Sequence, residues 1–198
     1  MKKSLITIIV IAVVALGLIS WATGAYNSMV EVQEKATTAL ANVQSTYQRR
    51  ADLIPNLVET VKGYAAHEKE TLEGVVNARA KATSINLEAG ELTPEKLQKF
   101  QAAQSELSSA LGRLIAVGEA YPDLKANENF RDLQVQLEGT ENRINEARNK
   151  YNAAVQEYNV TIRRFPKNIF AGIFGFDKMA KFEAEAGAEK APKVDFGV

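Results

Sequence analysis

A stripe of apolar side chains that runs straight across a proline sets the tightest limit on how this chain can fold. Val43, Tyr47, Ile54, Leu57, Val61 and Tyr64 follow one another in steps of four and three, apart from one seven-residue gap with Arg50 at its centre. That spacing is the seam of a helix packed against other helices, and it aims Arg50 inward. Pro55 has no N–H and its ring collides with the carbonyl four residues back, so inside a continuous helix it costs roughly 3 kcal/mol. A helix start avoids the cost: with Asp52 as N-cap, Pro55 falls at the third helical position, where an N–H has no intrahelical partner. The expected arrangement is one helix ending near Arg50 and another beginning near Leu53. Because the stripe keeps its phase across the proline, a single long kinked helix is the competing reading.

Upstream, Lys2 and Lys3 precede Ser4 to Ala25, a run without a single charge. About 20 apolar residues cross a bilayer core as a helix. The run is longer than the core of a usual signal peptide, and Trp21 and Tyr26 stand where interfacial aromatics belong, so a retained membrane anchor over residues 1–26 is expected. Cleavage after the small residues Ala22 and Gly24 is the alternative. The two lysines have no equivalent close behind the run, where the next cations are Lys35 and Arg49. That bias places the N-terminus in the cytoplasm and the body outside it.

The remaining helices follow from the same periodicity. Val32, Ala36, Ala39, Leu40, Val43 and Tyr47 form one face. Beyond Gly63 the stripe continues through Leu72, Val75, Val76, Arg79 and Ala82, and Glu88 to Glu91 reads as a loop. Thr93 followed by Pro94 is a helix start, opening a stripe of Leu97, Phe100, Gln104, Leu107, Leu111, Leu114, Gly118 and Tyr121. A last stripe holds Phe130, Leu133, Leu137, Ile144, Ala147, Tyr151, Ala154, Tyr158 and Ile162 up to Pro166. The expected fold is all-α: an antiparallel up-and-down four-helix bundle over residues 27–166, with helices near 28–50, 53–85, 94–120 and 128–165, hung on one N-terminal transmembrane helix. Residues 167–198 are expected as an apolar strap followed by a flexible polar tail; an alternative places Ile169-Phe-Ala-Gly-Ile-Phe-Gly-Phe176, flanked by Lys167 and Lys178, in the membrane interface.

Three blocks carry a resemblance to a known family: Arg49-Arg-Ala-Asp-Leu-Ile-Pro-Asn-Leu-Val58, Glu119-Ala-Tyr-Pro-Asp-Leu-Lys-Ala126 and Thr140-Glu-Asn-Arg-Ile-Asn-Glu-Ala-Arg-Asn-Lys-Tyr-Asn152. Together with Tyr26-Asn27 and the tail Phe182-Glu-Ala-Glu-Ala-Gly-Ala-Glu-Lys-Ala-Pro192, they resemble the LemA family over nearly the whole chain. The resemblance implies a membrane-anchored helical bundle and no established catalytic residues. One branch of the family is associated with membrane shaping, which transfers to no particular residue here.

The residues themselves exclude several chemistries. The 198 residues hold no cysteine and one histidine, so thiolate and most imidazole metal sites are ruled out. His67 has Tyr64, not Glu, three residues before it, and His67-Glu-Lys-Glu lacks the second His of a zinc peptidase helix, so no di-iron or zinc site is expected. Gly172-Ile-Phe-Gly175 lacks the Lys-Ser/Thr of a phosphate loop. No serine has a histidine base assigned to it. Lys+Arg and Asp+Glu balance at 24 each and mix along the chain, which argues against a nucleic-acid surface. No catalytic residue, cofactor, metal or small-molecule substrate is inferred.

The better signal is a set of charged and polar residues on or beside seams: Arg49, Arg50, Asp52, Asn56, Glu119, Asp123, Glu141, Arg143 and Arg148. A charge at a buried seam is costly unless paired, and such layers fix register and partner choice. The set reads either as an internal Arg–carboxylate network or as a docking patch, with Glu119, Glu141 and Asp52 as counter-charges for Arg50. The functional expectation is a non-enzymatic scaffold at the membrane surface of the cell envelope, partnered by the lipid bilayer through its anchor and by itself or an integral membrane protein. An adaptor of an envelope peptidase or other membrane enzyme is the alternative, and a hydrolase with unusual residues the weakest.

Overall fold

A computed structural model of the chain describes residues 2–87 and 92–183; the loop expected over 88–91 and the polar tail beyond Glu183 lie outside the described residues. The described residues form six helices: α1 (Lys2–Lys62), α2 (Lys69–Thr83), α3 (Pro94–Ala120), α4 (Pro122–Lys125), α5 (Glu128–Arg163) and α6 (Lys167–Phe174). The described residues contain no strand, so the chain is all-helical as expected.

The expected break before Pro55 is absent. α1 is one helix of 61 residues with Pro55 inside it, about 90 Å long. Asp52 accordingly caps nothing and accepts a hydrogen bond from Gln48 Nε2 at 2.7 Å on the exposed face. Two effects offset the proline's cost. Ile54, Leu57, Val58 and Val61 are all buried on the face that also carries Val43 and Tyr47, and each aliphatic side chain is worth about 1.5–3 kcal/mol when buried. The Ala51 carbonyl, deprived of the N–H that residue 55 should supply, accepts instead from Arg79 Nε at 2.8 Å. Ala51 is buried, so without Arg79 its carbonyl is left short of a partner.

The chain turns at Gly63 to Glu68, well beyond the expected turn between Arg50 and Leu53. Glycine weakens a helix by about 1 kcal/mol. Tyr64 N–H and Ala65 N–H both donate to the Val61 carbonyl, at 3.0 and 2.8 Å, which closes the helix tightly and tucks Ala65 into the core. Tyr64 therefore leaves the stripe and is exposed, as is Val76 on α2. α2 returns beside the end of α1, and Gln44 of α1 donates to the Leu87 carbonyl just beyond α2.

α3 begins where the sequence places it, with Thr93 Oγ1 accepting from Lys96 N at 3.1 Å and Pro94 in the first turn. Asn127 Oδ1 caps α5 in the same way through Phe130 N, at 3.0 Å. Between them α4 buries Leu124. Gly118 is required by packing: a Cβ there would stand 2.1 Å from Cζ of Phe130.

The core is built in three storeys. α1, α2, α3 and α5 share the upper one, around Ile54, Leu57, Val75, Leu107, Leu114, Phe130 and Leu137. The middle one joins Leu40, Val43 and Tyr47 of α1 to Leu97 and Phe100 of α3, Ile144, Tyr151 and Val155 of α5, and Phe182. The lowest holds Met29 and Val32 of α1 with Tyr158 and Ile162 of α5 and Ala171 of α6. Residues that climb α1 thus meet residues that descend α5. Below these storeys, every side chain from Ser4 to Trp21 is exposed, and α1 is the one described helix long and apolar enough to cross a membrane, by length and composition.

If Arg79 replaces the donor that Pro55 lacks, the two positions are coupled. Arg79→Met should cost about 1–3 kcal/mol in the natural sequence and markedly less in a Pro55→Ala background, where residue 55 regains its N–H. Urea unfolding of the four variants measures this. Equal costs in both backgrounds would contradict the coupling.

Candidate functional site

Arg50 is the most deeply buried charge among the described residues, 2% exposed. Its Nη1 donates to Glu141 Oε1 of α5 at 2.5 Å and to Ser108 Oγ of α3 at 2.9 Å. Its Nη2 donates to Gln104 Oε1 at 2.6 Å, and the guanidinium lies 5.3 Å from the Tyr47 ring centre. Ser108 Oγ also donates to Glu141 Oε1, and Gln104 Nε2 donates to the Ala82 carbonyl at the end of α2. One side chain of α1 is thereby tied to α3 and α5, and through Gln104 to α2. The pair is asymmetric: Arg50 is sealed in, whereas the Glu141 side chain is 46% exposed and still hydrated. Nε of Arg50 is buried without a partner.

Of the nine residues picked out in the sequence, only Arg50 and Glu141 join directly. Arg148 stands on the same polar groove of about 600 Å³ between α3 and α5, which Gln101, Ser105, Asn145 and Asn149 also line. Arg49, Asp52, Asn56, Glu119, Asp123 and Arg143 are exposed. Glu119 pairs with Lys125 Nζ at 2.8 Å, and that ammonium, with help from Gln134, holds its carboxyl below the usual range. Neither Glu119 nor Asp52 reaches Arg50. Gln104 and Ser108 complete the layer and were not among the nine; Gln104 had been visible as a polar interruption in an apolar stripe.

The groove's outer wall is the segment after α6. Residues 177–183 run along α5, held by two Tyr-Asn pairs seven residues apart. Tyr158 Oη donates to the Asp177 carbonyl and Tyr151 Oη to the Ala180 carbonyl, each at 2.8 Å. Asn159 grips Met179 with both ends of its amide, donating to the carbonyl at 2.9 Å and accepting from the N–H at 3.0 Å. Asn152 does the same to Phe182, at 2.9 Å each way. Seven residues of helix rise about 10.5 Å and three residues of extended chain cover about 10 Å, so the two repeats stay in step. Every one of these bonds is to backbone. Beyond them, Gln101 and Arg148 both donate to the Glu183 carbonyl, and the Arg148 guanidinium lies 5.1 Å from the Phe182 ring centre.

At the far end of the molecule His67 contacts Tyr121 Oη, which donates to Glu68 Oε1 at 3.0 Å. Burial and then the Glu68 carboxylate push the Tyr121 phenol up. The cluster lies at the rim, with the His67 side chain 69% exposed. Among the described residues no group of three or more His, Cys, Asp or Glu could hold a metal ion. Trp21 and Tyr26 are partly exposed and meet Phe170 and Phe174 of α6 edge-on, each with ring centres 5.1 Å apart.

The asymmetry of the buried pair predicts unequal mutants. Glu141→Ala strands a buried guanidinium and should cost about 1–3 kcal/mol, less than the 3–5 kcal/mol of a fully buried pair. Arg50→Met combined with Gln104→Leu, which removes the buried amide that would lose its donor, leaves a carboxylate that water already reaches and should stay within about 1 kcal/mol of the natural protein. Chemical denaturation measures both, and the opposite order would show that Glu141 is not what Arg50 depends on.

Tyr151 gives a second test. Burial pushes its phenol up to about 12, against about 10 in an unfolded chain. The folded state keeps a proton that the unfolded state loses, so the contribution of Tyr151 is complete below pH 10 and declines as pH rises towards 12. Tyr151→Phe should be less stable by about 1 kcal/mol at neutral pH. The gap should narrow between pH 10 and 12, and a constant gap would mean the phenol is not desolvated.

The LemA family profile matches residues 39–196. Magnetosome protein MamQ 2 of Paramagnetospirillum magneticum is 29% identical over 185 residues, covering 83% of this chain and 66% of that protein. MamQ of Magnetospirillum gryphiswaldense is 28% identical over 184 residues, covering 82% and 66%. Protein LemA of Metamycoplasma hominis is 26% identical over 121 residues, covering 61% and 52%. The chain thus spans just under two thirds of the length of the MamQ proteins and about half that of the LemA protein.

Proposed function

Since the chain belongs to the LemA family, we propose that it is a membrane-anchored, non-enzymatic scaffold of the bacterial cell envelope. In this reading residues 1–26 are the anchor and residues 27–166 an antiparallel helical bundle that presents its surfaces to a second copy or to integral membrane proteins. The observation that carries the proposal is the continuity of α1. The apolar run and the seam that organises the core belong to one helix, so no flexible linker separates the membrane from the body. The described polar residues support the same reading, because Arg50, Gln104, Ser108 and Glu141 spend most of their hydrogen bonds on one another and so tie helices together along the wall of the groove. Relatives that are magnetosome proteins support a place at a membrane.

The cation bias around the anchor, Lys2 and Lys3 before it and Lys35 the first after it, supports an N-terminus in the cytoplasm and a bundle outside. Protease added to spheroplasts should then digest the bundle. A bundle cleaved only after lysis would reverse the orientation, and a mature N-terminus near Ala25 would remove the anchor. For the scaffold itself, photo-cross-linking from exposed positions such as Arg49, Asn56 and Arg143 in intact membranes should yield links between copies or to integral membrane proteins. Links confined to one enzyme would replace the scaffold by an adaptor.

A further inference from the structure

We propose that α6 is a second membrane contact, a short helix lying in the headgroup layer of the leaflet from which α1 emerges, with its apolar side towards the acyl chains. The proposal rests on the anchored reading above. α6 is fixed against α1 at a definite height: Phe170 meets Trp21, Phe174 meets Tyr26, Lys167 Nζ donates to Ser28 Oγ at 2.7 Å, and Ala171 is buried in the lowest storey of the core. Residues 21–28 of α1 rise about 10 Å, which is the depth to which an interfacial helix sinks, about 5–10 Å.

The other side of α6 is exposed among the described residues. Ile169 and Ile173, one turn apart, are 52% and 68% exposed, Phe165 in the turn before the helix is 81% exposed, and Phe174 stays half exposed beside its contact with Tyr26. A water-soluble surface rarely leaves such a run bare. Here it is continuous with the exposed apolar surface of residues 5–21, so the medium that covers the anchor covers α6 too. Charge selects lipid over a second copy of this chain. Arg163 and Arg164 are exposed immediately before the patch, while the exposed Asp177 and Lys178 after it offset each other, so the patch is flanked by net positive charge. Two copies meeting here would bring these cations together, whereas a phosphate layer neutralises them. A body held both by α1 and by α6 presents one fixed side to the bilayer in whichever direction the anchor leans.

The chain has no cysteine, so single-cysteine variants report cleanly. Full-length Ile169→Cys and Ile173→Cys, Val13→Cys in the anchor and Val135→Cys on exposed α5 are labelled with a small fluorophore. They are reconstituted into vesicles of phosphatidylcholine and phosphatidylglycerol carrying doxyl groups on the acyl chains. Quenching is expected at 13, 169 and 173 and not at 135. Adding Arg163→Glu and Arg164→Glu should reduce quenching at 173 at least twofold while leaving position 13 unchanged. Quenching at 13 without quenching at 169 and 173 overturns the α6 proposal and leaves the anchor standing, whereas loss at position 13 overturns both.

Discussion

A proline within a helix removes one donor and crowds the carbonyl four residues back, and the course of α1 depends on how that carbonyl is satisfied. Ala51 is buried, so water cannot serve it; Arg79, 28 residues later on α2, does. The returning helix therefore completes the hydrogen bonding of the helix it returns along. With that bond in place the apolar face of α1 holds its phase from Met29 to Val61, with α5 along its whole length, α3 in the upper two storeys and α6 in the lowest. Were α1 to break at residue 52, Ile54, Leu57 and Val61 would need a different set of neighbours.

Two further devices hold this arrangement in register, and they differ in what they recognise. The Arg50 layer recognises side chains: guanidinium, amide, hydroxyl and carboxylate meet at one level of three helices, and sliding any of them by one turn would strand a buried charge. The Tyr-Asn pairs recognise only peptide groups, so they fix the path and register of residues 177–182 while leaving their side chains free to vary. Phe182 and Met179 then add apolar contact between those polar clasps.

Much of the fold was legible in the residues because its core repeats at helical spacing. The α3 and α5 stripes, the Thr93 cap, the inward Arg50 and the uncharged run all follow from rules that act within a few turns of chain. The path through Pro55 was not, because its remedy is an arginine distant in sequence and no local rule names it. The same limit explains why Asp52 looked like a cap and Tyr64 like a core residue. Of the candidate polar residues, position on a helix showed that Arg50 faces inward, but choosing Glu141 over Glu119 or Asp52 required knowing that α5 descends past α1. The Tyr-Asn doublets at 151 and 158 are visible as a seven-residue repeat; that they clasp backbone is not, since nothing in their spacing identifies an extended partner.

The unbroken α1 also makes the molecule a lever. Membrane helices lean by roughly 20° on average and change their lean with bilayer thickness. In a chain anchored through residues 4–25, the part of α1 above the membrane, residues 26–62, is about 55 Å long, so a 20° change of lean sweeps its tip by roughly 20 Å. A jointed linker would absorb that movement. Under the proposed anchoring, a small difference in the thickness or curvature of the membrane would become a large displacement at the distal turn around His67 and Tyr121, where a neighbour attached at that height would feel it.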